Sequence, residues 1–296
     1  MNAPVHLTDR PAPRRGPVRR LLEVRGLVGG HSAAHVTVRL VAADGTRLAA
    51  SYLPSGGGEV AVLLLHGFAA NRRKPAYARL ADGLASRLPV LALDLRGHGD
   101  SGGWSTFGDH EAQDVAAGVA GLQRLGHRRV VIVGLSMGAT AALHAASTGV
   151  EAAGIVLISA PARFRSVPET DATRRLKRVW DSPTQRTALR LALGVRLAGP
   201  ERWGPPPHPV EMISRVRSPA LVVHGEDDAY FPVSDAEELV AAAGGPAVLW
   251  REPHGFGHAE DGLTEAFIRT LRTALIAAAR DGEFPFRAIS LSRHAG

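Results

Sequence analysis

Six uninterrupted apolar runs, separated by polar or helix-patterned sequence, constrain this chain more than any other feature. They read EVAVLLLHG (59–67), PVLALDLRGHG (89–99), RVVIVG (129–134), GIVLISA (154–160), ALVVHG (220–225) and AVLWRE (247–252). A strand that is apolar at nearly every position, rather than at alternate ones, is covered on both faces. Segments such as PAYARLADGLASR (75–87) and HEAQDVAAGVAGLQRLG (110–126) carry helical spacing between the runs. Strand–helix alternation of this kind implies parallel pairing, with right-handed crossovers that lay helices on both sides of one sheet.

Two further runs precede these, VTVRLVA (36–42) and TRLAASYL (46–53), joined by Ala43-Asp44-Gly45. Asp and Gly tolerate positive φ, so the pair reads as an antiparallel hairpin opening an eight-stranded sheet. The final helix, near 261–280, places Phe267, Ile268, Leu271, Leu275 and Ile276 toward the core.

One interval breaks the rhythm. More than fifty residues separate GIVLISAP from SPALVVHG, too many for a simple connection. Its middle, DATRRLKRVWDSPTQRTALRLALGVRLAG, reads as one or two helices, and we assign 162–217 as a helical lid above the C-terminal edge of the sheet. The expected organisation is a disordered basic arm over 1–22, a core over 23–161 and 218–282, the inserted lid, and a tail over 283–296.

Charge follows the same boundaries. Residues 1–20 hold five arginines against Asp9, and residues 162–217 hold twelve Lys or Arg against five Asp or Glu. The net charge is +7, so the rest of the chain sums to −4, which argues against a body built for nucleic acid. The absence of cysteine excludes disulfides, cysteine metal sites and thiolate catalysis. No run is long and apolar enough for a membrane span, and Glu23 and Arg25 interrupt what an export signal would need, so a cytoplasmic location is expected.

Chemistry enters at VVIVGLSMGAT (131–141), where Ser136 falls between a buried strand and the helical stretch ATAALHAA. Gly134 and Gly138 let the turn close, and the helix N-terminus aims its amides toward the serine oxygen. A serine hydroxyl needs a base, and the base an orienting acid. HGEDDAYFP offers Asp227 and Asp228 after the seventh strand, and PHGFGHAE offers His254 and His258 after the eighth.

Over roughly residues 36–281 the chain resembles a serine α/β-hydrolase of the esterase and lipase type, with a lid like that of monoacylglycerol lipases. GLSMG, LLLHGF, DLRGHGDS, VVHGEDD and GFGHAE stand in that family's order. The resemblance implies an α/β-hydrolase fold, a mostly parallel eight-stranded sheet flanked by helices. It selects Ser136 as nucleophile, Asp228 as acid and His258 as base. Asp227 is then a turn residue and His254 a surface histidine. The oxyanion donors it implies are the backbone N–H groups of Phe68 and Met137. His66, Asp94, Arg96 and His98 match positions that brace loops, while Tyr230 and Phe231 are expected to pack. Trp180 and Trp203 are candidates for substrate contact or for lid core.

HGFAAN lacks the HGGG of hormone-sensitive-lipase-like esterases and the HGGPG of proline iminopeptidases. Serine at 136 argues against dehalogenases and epoxide hydrolases, whose nucleophile is aspartate. SMGA is similar to type II thioesterases, but their histidine before the serine is Leu135 here. The expected activity is hydrolysis of a carboxylic ester of a small or medium acyl substrate, with no cofactor and no metal. The alternatives are a thioesterase acting on an anionic carrier, acyl-CoA or acyl carrier protein, to which the basic lid lends a motive, cofactor-free peroxidase chemistry, and a non-catalytic ligand-binding or scaffold member.

Overall fold

Strands β2 (Val36–Val41) and β3 (Arg47–Leu53) form the hairpin, paired from Val36 opposite Tyr52 to Val41 opposite Arg47. Gly45 turns it at φ 84°, and the Asp44 carboxylate accepts the Thr46 N–H at 3.0 Å. The computed structural model describes residues 29–56, 59–164, 170–202, 204, 206–253 and 255–285, and the backbone of β1 (His6–Thr8). β1 lies within the arm expected to lack structure and pairs antiparallel with β2. It adds an edge strand to the eight expected, and the remainder of the arm and residues 286–296 of the tail lie outside the described residues.

The six apolar runs become β4 (Val60–Leu65), β5 (Val90–Asp94), β6 (Arg129–Leu135), β7 (Gly154–Ile158), β8 (Ala220–Gly225) and β9 (Ala247–Glu252). The sheet order is β1-β2-β3-β5-β4-β6-β7-β8-β9, antiparallel as far as β5 and parallel from there on. Alternate residues of one strand serve opposite layers. Ala61, Leu63 and Leu65 of β4 join the core that packs on α2 (Glu111–Arg124), α3 (Met137–Ser147), α6 (Pro209–Ile213) and α7 (Val233–Ala242). Val62 and Leu64 join the other core, against α1 (Pro75–Ala85) and α8 (Glu265–Asp281). This double coverage is why the runs are apolar throughout.

Two local expectations change. Helix α3 begins at Met137, directly after the serine, two residues before ATAALHAA. Ile276, expected in the core, is 41% exposed. The buried stripe of α8 runs through Phe267, Ile268, Leu271, Ala274, Leu275 and Ala278, and one residue past Leu275 the helix has turned away from it.

Between β7 and β8 the insertion forms α4 (Asp171–Asp181) and α5 (Pro183–Leu193), which contact each other and have no fully buried residue. Ser182 closes α4 with its backbone N–H and opens α5 by accepting the Gln185 N–H on its hydroxyl. Among the described residues no helix is long and apolar enough to cross a membrane.

Candidate active site

Ser136 stands on a strained corner, with φ 51° and ψ −115°. A Cβ on Gly138 would sit 2.7 Å from the carbonyl oxygens of both Leu65 and His66, and one on Gly134 would collide with the Gly138 carbonyl. Only glycine at both positions lets β6 run into α3 against β4. The Ser136 N–H is held by the Ile158 carbonyl at 2.8 Å, and its own carbonyl accepts from Ala139 and Thr140.

His258 Nε2 lies 2.9 Å from Ser136 Oγ, and His258 Nδ1 lies 2.8 Å from Asp228 Oδ2. Asp228 is nearly sealed, its side chain 1% exposed, and also accepts the N–H groups of Tyr230 and Phe231 at 2.8 and 3.0 Å. Burial alone would raise its pKa, but the His258 hydrogen bond and charge and the two N–H donors outweigh burial and hold it below the usual carboxylate range. Asp227 is exposed and instead accepts the Gly255 N–H at 2.6 Å, fastening the loop that carries His258. His254 lies outside the described residues, as does Trp203.

The His258 loop is also tied to β7. Ala259 and Ser159 both adopt positive φ, 51° and 52°, and the Ser159 hydroxyl accepts the Ala259 N–H at 2.9 Å. The rings of Tyr230 and Phe231 lie 4.4 and 5.5 Å from the His258 ring and flank it, as packing residues do.

The loop after β4 presents Phe68. Gly67 donates its N–H to the Tyr77 hydroxyl at 3.0 Å, and Ala69 donates to His98 Nε2 at 3.2 Å. Among the described residues neither the Phe68 nor the Met137 N–H donates to a protein acceptor. Two N–H groups left free beside an activated hydroxyl have the chemistry of an oxyanion hole.

The four family-matched polar residues brace loops. His66 Nε2 accepts the Leu95 N–H at 3.0 Å while Nδ1 donates to the Gly67 carbonyl at 2.8 Å, and burial lowers its pKa to about 3. Asp94 accepts the N–H groups of Arg72 and Asp100, each at 2.8 Å, and the Arg72 guanidinium. Arg96 makes a fork to Asp114 and reaches Asp44 at 2.7 Å.

Sequence reasoning missed several residues. Arg72 is 3% exposed and bonds Ser51, Asp94 and Asp100, stitching the Phe68 loop to the β5 loop. Its only sequence signal was an Arg pair after HGF. Glu111, fully buried at the start of α2, accepts from Ser105, the Thr106 backbone and hydroxyl, and Gly108. That grip shapes the loop on which Phe107, at φ 53°, packs 4.5 Å from Phe68 and 4.7 Å from Trp180, ring to ring. Trp180 therefore faces the Phe68 side of the site rather than a core within the insertion.

Comparison with known proteins places this geometry. The chain is 32% identical to the uncharacterized protein YqkD of Bacillus subtilis, over 56% of this chain and 54% of that protein, so it spans about half of that relative's length. It is 27% identical to a 2-hydroxy-6-oxononadienedioate/2-hydroxy-6-oxononatrienedioate hydrolase of Burkholderia vietnamiensis, over 68% of this chain and 82% of that one. The Pyrococcus furiosus esterase Pf2001 superposes with a TM-score of 0.65 at 21% identity, covering 86% of this chain and 98% of that one. The esterase RhEst1 from Rhodococcus sp. ECU1013 gives 0.56 at 22% identity, covering 82% and 99%, and both likenesses are of fold. Residues 62–281 match the model of the alpha/beta hydrolase family, and to that family the chain belongs.

Proposed function

We propose that the protein is a serine hydrolase that cleaves a carboxylic ester of a small or medium acyl substrate through an acyl-enzyme on Ser136. The observation that carries this reading is the unbroken chain from Ser136 Oγ through His258 to the sealed carboxylate of Asp228. The naming of relatives as esterases and as a hydrolase of a dioate supports a hydrolytic reaction.

In this mechanism His258 takes the serine proton as Oγ bonds to the acyl carbon, and Asp228 holds the imidazole in the required tautomer. The Met137 and Phe68 N–H groups receive the developing oxyanion. The tetrahedral adduct expels the alcohol, which leaves with the proton that His258 took. Water then gives its proton to His258, attacks the acyl carbon and releases the acid from Ser136. The insertion acts as a lid, with Trp180, Phe107 and Phe68 as the apolar wall of the acyl site.

Labelling with a fluorophosphonate, with Ser136→Ala as control, tests the nucleophile. Turnover of p-nitrophenyl esters from acetate to palmitate tests the acyl site. Labelling that vanishes in Ser136→Ala, with a maximum along the ester series, is the expected result. Folded wild-type protein that neither labels nor turns over any ester would turn the reading toward a non-catalytic ligand-binding member.

A further inference from the structure

Beneath α5, against the loop that carries Trp104, lies a cavity of about 220 Å³ whose charged lining consists of arginines alone: Arg186, Arg190, Arg196 and Arg202. Arg186 and Arg190 project from one face of α5, four residues apart. Arg190 and Arg202 place their guanidinium carbons 5.8 and 5.0 Å from the centroid of the Trp104 ring, which is 40% exposed. Arg196 is fixed from behind by the carbonyls of Gly103 and Ser101. Burial and the neighbouring Arg190 charge both lower the Arg196 pKa. The adjoining cleft shares Trp104 and Arg202 and contains Asp44, but that carboxylate is engaged by Arg96.

Like charges gathered on one wall repel, and an anion between them relieves the repulsion. Four guanidiniums suit a ligand with more than one negative charge, and their planar forks match phosphate oxygens. The cavity also adjoins the site just described. Leu197 in its wall pairs with Ser105, whose hydroxyl lies 3.4 Å from Met137 Sδ. Arg186 donates to the carbonyl of Trp180, the residue that packs on Phe107.

We propose that this cavity binds the phosphate groups of an acyl donor whose leaving group is phosphate-bearing. The inference rests on the Ser136 reading for its chemistry. The bond from Ser136 Oγ to the acyl carbon forms as the bond to the phosphate-bearing group breaks, and that group departs with the proton His258 took from Ser136.

The test separates binding from turnover. Calorimetry on the Ser136→Ala protein, titrated with coenzyme A and with inorganic pyrophosphate, is expected to detect both. The added pair Arg190→Gln and Arg202→Gln is expected to weaken coenzyme A binding about tenfold, the loss of one charge-assisted contact. In protein with Ser136 intact, kcat/KM for an acyl-CoA is expected to exceed that for the N-acetylcysteamine thioester of the same acyl group. That ratio should fall about tenfold in the arginine pair and with added salt. Absence of coenzyme A binding, or binding indifferent to the arginine pair, overturns the proposal. So does a wild-type protein that turns over both thioesters equally, or one that binds azelate more tightly than pyrophosphate. A chain that binds coenzyme A through these arginines but hydrolyses nothing would sink the Ser136 reading and leave the cavity as a phosphate site.

Discussion

Trp180 and Phe107 lie ring against ring, centroids 4.7 Å apart, although one stands on a helix of the insertion and the other on the loop between β5 and α2. Phe107 passes the contact on to Phe68, beside the Ser136 corner. If this stack is the apolar wall of the acyl site, Trp180→Ala removes its outermost face. The variant is expected to lose roughly tenfold in kcat/KM on p-nitrophenyl octanoate, the scale of one aromatic pair, and to change little on the acetate. Equal losses on both esters would place Trp180 in the support of the fold rather than in the acyl site.

Asp228 is held charged by His258 and two N–H donors, so Asp228→Asn keeps the shape but reverses a hydrogen bond. An amide facing His258 Nδ1 favours the wrong tautomer and gives the imidazolium no counter-charge. A fall of about 10⁴ in kcat is expected, with an unchanged circular dichroism spectrum. Because the folded-state pKa of Asp228 is lowered, the acid limb of the wild-type pH–rate profile is expected to report another group.

The corner at Ser136 stores strain in the service of exposure. At φ 51° and ψ −115° glycine is at ease and serine is not. Ser136→Gly and Ser136→Ala both abolish the hydroxyl, but only the glycine variant releases the strain. It is expected to be more stable than Ser136→Ala by about 1 kcal/mol, measured by urea denaturation. Equal midpoints would show that the surrounding hydrogen bonds have made the corner comfortable for any residue.

The features that the sequence made legible are those set by neighbours in the chain. Continuous apolar runs report coverage on both faces whatever the partners are, so the strands of the parallel region emerged from periodicity alone. Gly134 and Gly138 were legible because the corner they serve is five residues long. Asp228, and not Asp227, meets His258, yet the residues alone left the two open, and family resemblance separated them. Arg72 and Glu111 were invisible because their meaning lies in loops brought together from different strands. Phe107 was missed because its packing depends on a positive φ that its sequence neighbours do not announce.

Asp94 shows what those hidden residues contribute. It is fully buried and accepts from Arg72 and Asp100, joining the loop that presents Phe68 to the loop after β5. Asp94→Asn leaves the Arg72 guanidinium, itself 3% exposed, with one counter-charge instead of two. A loss of about 3 kcal/mol in urea is expected, at the low end for a broken buried pair because Asp100 remains. A loss below 1 kcal/mol would mean that Arg72 re-pairs without cost.

Acid stability tests the buried histidines. His66 is held neutral by burial, with a folded-state pKa of about 3 against an ordinary 6.5, and burial lowers His98 as well. Below the ordinary value the unfolded chain takes up a proton at each imidazole that the folded chain refuses. Their stabilisation is therefore complete above 6.5 and is lost as pH falls toward the folded values. The carboxylates act lower down, since Asp100 and Asp228 are depressed below the usual range by their donors despite burial, and lose their contribution only under about pH 4. The urea midpoint is thus expected to fall between about pH 6.5 and pH 5, at up to about 1.4 kcal/mol per pH unit for each histidine. His66→Gln retains an acceptor for the Leu95 N–H without the titration, and should flatten that slope by one group's share. A wild-type midpoint that stays level across this window would show that the protonated rings find acceptors inside the fold, contrary to the hydrogen bonds that now use both nitrogens of His66.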